Sequence, residues 1–125
     1  MNVKRLGLTT LLLVAGLADA QRVPTLSTMV LRPTLGGVVI EAIITPRGQS
    51  DELHGVWAVG ARSKLLDCEA RCKVVQSIPF KGPMRLDGQS RYRIVLGGAF
   101  NLSRRVGVLF SFGSGVASGE AMVQP

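Results

Sequence analysis

The apolar positions of this chain repeat with the period of strands, not helices. Val38-Val39-Ile40-Glu41-Ala42-Ile43-Ile44-Thr45 is dense in β-branched side chains and bounded by Gly36-Gly37 and Pro46, which predicts a strand at the centre of a sheet. Val106, Val108, Phe110 and Phe112 fall at alternate positions, with Leu109 the one apolar residue between them, as in a strand with one buried face. Leu53 to Val59 predicts another strand, in which alternation sets Leu53, Gly55, Trp57 and Val59 on one side. Trp57 is then expected in the core and His54 on the opposite face. Further strands are expected at Leu26–Leu31, an edge strand flanked by Pro24 and Pro33, at Met84–Leu86 before the Asp87-Gly88 turn signal, at Arg91–Leu96, and at Ala117–Val123. Pro46 to Asp51 has turn chemistry, Ser77 to Pro83 is expected as loop, and 99–105 as a connection with a helical turn. About seven strands separated by frequent turns, with no long helical period, predict an all-β fold, an antiparallel β-sandwich.

Two apolar arms, Lys64–Asp67 and Lys73–Gln76, flank the only cysteines, Cys68 and Cys72. Residues opposite one another in an antiparallel hairpin share a face. Cys68 and Cys72, across the loop Glu69-Ala70-Arg71, are therefore expected on one side with Cα atoms about 4.5–5.5 Å apart. That separation suits a disulfide or two thiolates on one ion. A disulfide closing so short a loop adds little to global stability in the chain-entropy account, which leaves room for a role other than stapling the fold.

The N-terminus changes the setting of these cysteines. Met1-Asn2-Val3-Lys4-Arg5, an apolar run from Leu6 to Leu17, and Ala18-Asp19-Ala20 follow the order of a secretory signal peptide cleaved after Ala20. The run is shorter than the roughly 20 apolar residues of a membrane-spanning helix. The expected organisation is a signal peptide over 1–20 and a single β-sandwich domain over 21–125, located in the periplasm or secreted. Disulfides form and persist there. The formal net charge is +7; losing Lys4, Arg5 and Asp19 with the leader leaves +6. Positive charge thus belongs to the domain. Its arginines are scattered apart from Arg104-Arg105 and Arg91/Arg93, a solvated basic surface without the clustering of a nucleic-acid binder. Membrane contact is expected at the surface only, and an acidic partner protein fits the same charge.

Catalytic constellations are mostly missing. His54 is the one histidine and has no triad geometry to join. No serine or cysteine sits in a nucleophile motif, the acidic residues are scattered, and Gly97-Gly98 is too isolated to cradle a phosphate. An enzymatic role is not expected. Soft thiolate and thioether donors select copper(I), and Cys68, Cys72 and Met84 are of that kind. Zinc normally takes four protein ligands in a structural site, and two cysteines with one histidine fall short of that unless Asp67 or Glu69 joins. Methionines fill cores more often than they bind metal, so Met29, Met84 and Met122 are packing residues by default.

The order of these segments resembles the periplasmic copper(I) chaperones of the PCu(A)C type: the strand from Gly37 to Thr45, Asp51-Glu52-Leu53-His54-Gly55-Val56, a hairpin, Ile78-Pro79-Phe80, Tyr92-Arg93-Ile94-Val95-Leu96-Gly97-Gly98, and a closing pair of strands ending at Val123. The resemblance implies a cupredoxin-like sandwich, with copper(I) held by histidines and methionines. Those ligands are not matched. Asp67 stands where the resemblance implies the first histidine, Cys72 nearest the methionine of the second arm, and Tyr92 and Ile94 in the places of the second histidine and its methionine partner. Two readings follow. In one, the chain is an exported copper-chaperone-like protein that binds or formerly bound copper(I), with Cys68, Cys72 and Met84 as candidate ligands and an envelope protein as partner. In the other it is a metal-free envelope interaction module whose hairpin is clipped by a Cys68–Cys72 disulfide. A thiol-redox role is third, because the spacing is one residue longer than Cys-x-x-Cys and no helix N-terminus lowers a thiol pKa.

Overall fold

The computed structural model describes residues 22–98 and 105–124. The leader expected at 1–20 and most of the connection expected at 99–105, with its helical turn, lie outside the described residues. Ten strands run in chain order: β1 (Thr25–Thr34), β2 (Gly37–Thr45), β3 (Asp51–Trp57), β4 (Ala61–Asp67), β5 (Lys73–Val75), β6 (Ile78–Phe80), β7 (Met84–Leu86), β8 (Tyr92–Gly98), β9 (Val106–Phe112) and β10 (Gly115–Val123). No helix occurs among the described residues. The count exceeds the expected seven because the two arms of the cysteine hairpin, β4 and β5, and the short strand β6 each add a member to the sheets.

Hydrogen bonds join the strands in the order β5-β4-β8-β2-β1-β10-β9-β3-β6. The remaining strand, β7, pairs with Ala42–Ile44 of β2, further along the edge on which β8 pairs with Val38 and Val39. Every pairing is antiparallel except that of β1 with β10, where Val30 and Leu31 lie beside Met122 and Val123. That short parallel seam joins the two layers of the sandwich. β2 buries Val38, Ile40, Ala42 and Ile44 at alternate positions and β9 buries Val108, Phe110 and Phe112. These faces meet in one core with Leu53, Ile78, Leu86, Ile94 and Leu96. Phe112 meets Phe80 edge-on at 5.9 Å between ring centroids and lies 6.2 Å from Phe110. Gly37 is required where β2 meets β8, since a Cβ there would run into the Leu96 carbonyl oxygen.

Three expectations are corrected by the pairing. Leu53 and Val56 are buried, whereas Trp57 is 56% exposed and Val59 almost wholly so. The cause is a bulge: Leu53 lies opposite Phe112 and Gly55 opposite Ser111, so His54 is the extra residue and the inward phase shifts beyond it. The Trp57 ring folds back over Gly55 on the outer face. Ile78–Phe80, expected as loop, pairs with Asp51–Leu53; Ile78 and Phe80 point inward and Pro79 outward on the last strand of that sheet, where a missing N–H is tolerated. β1 is internal, not an edge. Its proline is accommodated because β10 reaches only Val30 and Leu31, which leaves Pro33 beyond that ladder, and a bulge with Thr28 at φ 47° accompanies the irregular register with β2.

The bulge makes a testable distinction between the two large aromatic side chains. Phe110→Ala should lower the unfolding free energy by about 3–5 kcal/mol, whereas Trp57→Ala should cost no more than about 1 kcal/mol. Urea denaturation of both variants measures this, and equal large losses would contradict the β3–β9 register.

Candidate functional site

The chain places its cysteines at the tip of the β4–β5 hairpin. The ladder pairs Leu65 with Val75, Leu66 with Val74 and Asp67 with Lys73; the cysteines lie one step past its last pair. Their sulfurs are joined in a disulfide, with Cα atoms 3.9 Å apart. This is closer than the separation expected for ladder partners, because Cys68 and Cys72 belong to the turning connection and not to the paired strands. Cys68 is half-buried and Cys72 exposed. The Cys68 N–H donates to the Arg91 carbonyl oxygen at 2.6 Å, which fastens the base of the loop to the start of β8. No cysteine among the described residues is free.

Beneath the disulfide lies the one charged residue that the fold buries among the described residues, Asp67. Covering a carboxylate is costly unless it is paired and hydrogen-bonded. Both of its oxygens are engaged by a single guanidinium: Arg91 Nε donates to Oδ1 at 3.0 Å and Arg91 Nη2 to Oδ2 at 3.2 Å. The planar fork of arginine matches a carboxylate in this way. Arg91 Nη2 also lies 3.0 Å from Glu69 Oε2, and the guanidinium carbon stands 4.9 Å from the centroid of the Tyr92 ring. The Glu69 N–H donates to Asp67 Oδ1 at 3.3 Å. The Arg91 hydrogen bonds hold the Asp67 carboxyl below its ordinary value of 3.8, aided by the Arg91 charge, the Glu69 N–H and the Lys73 charge, and opposed by desolvation. The same carboxylate raises the pKa of Arg91.

The resemblance pointed to four positions, and they are distributed between the faces of the sheet. Asp67 and Tyr92 are cross-strand partners on β4 and β8 and flank the Arg91 guanidinium. Ile94 is fully buried in the core. Cys72 lies on the outer side, where Arg93 Nη1 donates to its Sγ at 3.8 Å and Arg93 Nε donates to the Ser90 carbonyl at 2.8 Å. Cys68 and Cys72 are therefore brought together. Met84 instead sits on β7 opposite Ile44, packed against the core. His54, in the β3 bulge, has Nε2 3.5 Å from Glu52 Oε2. Among the described residues no group of three or more histidine, cysteine, aspartate or glutamate side chains is placed to hold a metal ion. A concavity of about 590 Å³ opens under the hairpin between Asp67, Glu69, Ala70, Arg71, Cys72 and Lys73.

The residue that sequence reasoning missed is Arg91. Its signal was a carboxylate closing an otherwise apolar strand, Leu65-Leu66-Asp67, because an acid two residues past the inward Leu65 shares its face and needs a cation from a neighbouring segment. Reading Arg91/Arg93 as surface charge concealed that the two play different parts.

No protein-family model matches the chain, and no curated protein matches it. Among solved structures it is similar to a copper-bound PCuAC domain from PmoF2, with a TM-score of 0.62 and 14% sequence identity over 79% of this chain and 90% of that one. At that identity the likeness is one of fold. The sandwich is PCuAC-like and cupredoxin-like in architecture.

The ion pair sets an acid sensitivity. Because the folded-state pKa of Asp67 lies below its unfolded value, the Asp67–Arg91 contribution is fully present above about pH 4 and is lost as pH falls through the depressed folded value. The chain should lose stability more steeply than Asp67→Asn between about pH 5 and pH 2. Urea midpoints measured across that range test this, and parallel curves would show that the pair contributes nothing pH-dependent.

Proposed function

We propose that this chain is an exported copper-chaperone-like protein whose copper(I) cargo is carried at the hairpin tip by Cys68 and Cys72 after their disulfide is reduced. The observation that carries this reading is the adjacency of the two sulfurs at an accessible turn of a PCuAC-like sandwich. As joined, they offer no thiolate. Reduction by a dithiol, which leaves as its own disulfide, yields two thiols from one bond and supplies a donor pair of the kind that selects copper(I). Met84, packed against the core opposite Ile44, is not part of this donor pair. Transfer then proceeds by exchange of ligands with an envelope partner protein, without catalysis.

A second reading is favoured by the Arg91 cluster. At Asp67 and Tyr92, where the resemblance implies ligands for a cation, the guanidinium of Arg91 already supplies a positive charge held by two hydrogen bonds. The corresponding function is a metal-free envelope module that retains the sandwich and uses the disulfide to fix the shape of an exposed hairpin.

Copper(I) titration against a chromophoric chelator, with the chain oxidised and reduced, separates the two. The first reading predicts one copper(I) per reduced chain, none per oxidised chain, loss of binding in Cys68→Ser and Cys72→Ser, and unchanged binding in Met84→Leu. Absence of competition in both redox states, with the fold intact, would reject it in favour of the metal-free module.

A further inference from the structure

Cross-strand partners share a face of a sheet, and this places a particular set of side chains on the outside of the β5-β4-β8-β2-β1 layer. One row runs Lys64, Val95, Val39, Arg32 across β4, β8, β2 and β1. A second runs Val74, Leu66, Arg93 across β5, β4 and β8. Arg62 lies two residues before Lys64 on β4 and therefore projects to the same side. Cys72, two residues before Val74, extends the second row at the hairpin tip, and Arg71 is next to it in the turn. Arg62, Lys64, Arg71 and Val74 are exposed, and Leu66, Arg93 and Val95 half-buried.

Among the described residues, Arg32 is the one cation of this face that an ion pair neutralises. Among the described residues, ion pairs engage Arg32 with Glu41, Arg85 with Asp87, Arg91 with Asp67 and Glu69, and Arg105 with Glu120. Arg62, Lys64, Arg71 and Arg93 belong to none of them. Four uncompensated cations thus surround a flat apolar strip formed by Leu66, Val74 and Val95.

We infer that this face is a docking surface for an acidic protein surface, one that presents carboxylates around an apolar centre. Charge complementarity selects the partner, with cations at the edge steering encounter and the apolar strip supplying the contact that water leaves. A protein partner fits better than an anionic bilayer. The exposed aromatic suited to a lipid interface, Trp57, lies on the other layer of the sandwich. The strip is small, and the contact belongs to the transient, low-area class of encounter. It borders Cys72, so a partner seated there stands next to the disulfide. The inference does not depend on copper binding, and its test uses the oxidised, metal-free chain.

The test is an NMR titration of the isotopically labelled full chain with a short synthetic peptide of glutamates interspersed with leucine. Amide shifts should concentrate in residues 62–66, 71–75 and 93–95 and shrink as salt is added. Arg62→Glu/Lys64→Glu should weaken the peptide about tenfold or more, as should Arg71→Glu in the loop, whose exposed position spares the fold, while Lys81→Glu beyond β6 should leave affinity unchanged. Shifts centred elsewhere, or equal weakening by Lys81→Glu, would overturn the assignment in favour of diffuse charge attraction. Binding to phosphatidylglycerol vesicles through the same residues, without binding to the peptide, would overturn it in favour of a membrane.

Discussion

A carboxylate enclosed in a β-sandwich must be met by a cation, and the pairing of Asp67 with Arg91 is the constraint on which the functional end of this molecule depends. It ties the last residue of β4 to the turn that opens β8, and the same arginine's carbonyl accepts the N–H of Cys68. Side chain and backbone of one residue thereby fix the base of the hairpin. The disulfide then only has to close a turn whose stem is already held. That division of labour agrees with the small stabilisation expected from so short a loop.

The two faces of β4 and β8 end in different groups. The inward face ends in the Asp67–Arg91–Tyr92 cluster, a self-contained arrangement of charge. The outward face ends in Cys72 with Arg93 beside it and continues into the uncompensated cations. Because strand side chains alternate, adjacent residues such as Asp67 and Cys68, or Tyr92 and Arg93, serve opposite sides of one sheet.

The fold was legible in the sequence wherever one strand's own alternation determined burial. β2 and β9 follow their patterns at nearly every position, and the arms of the cysteine hairpin could be placed from Lys64–Asp67 and Lys73–Gln76. Failures came where a partner strand decided. The bulge at His54 is set by pairing with β9, and it turned Trp57 outward against the simple period. Ile78–Phe80 is too short to announce itself as a strand without the edge of β3 to bind. The cysteines' adjacency was readable from spacing, but the meaning of Arg91 was not, since a buried ion pair across strands exists only once the register of β4 and β8 is known. The basic outer face depended on that register too.

The central claim, that the reduced hairpin carries copper(I) on its two sulfurs, is tested most directly by X-ray absorption at the copper K-edge on the reduced chain loaded with copper(I). The expected result is a copper(I) edge and a first coordination shell of sulfur, lost when Cys68 and Cys72 are replaced by serine. A first shell of nitrogen and oxygen, or one that survives replacement of both cysteines, would contradict it.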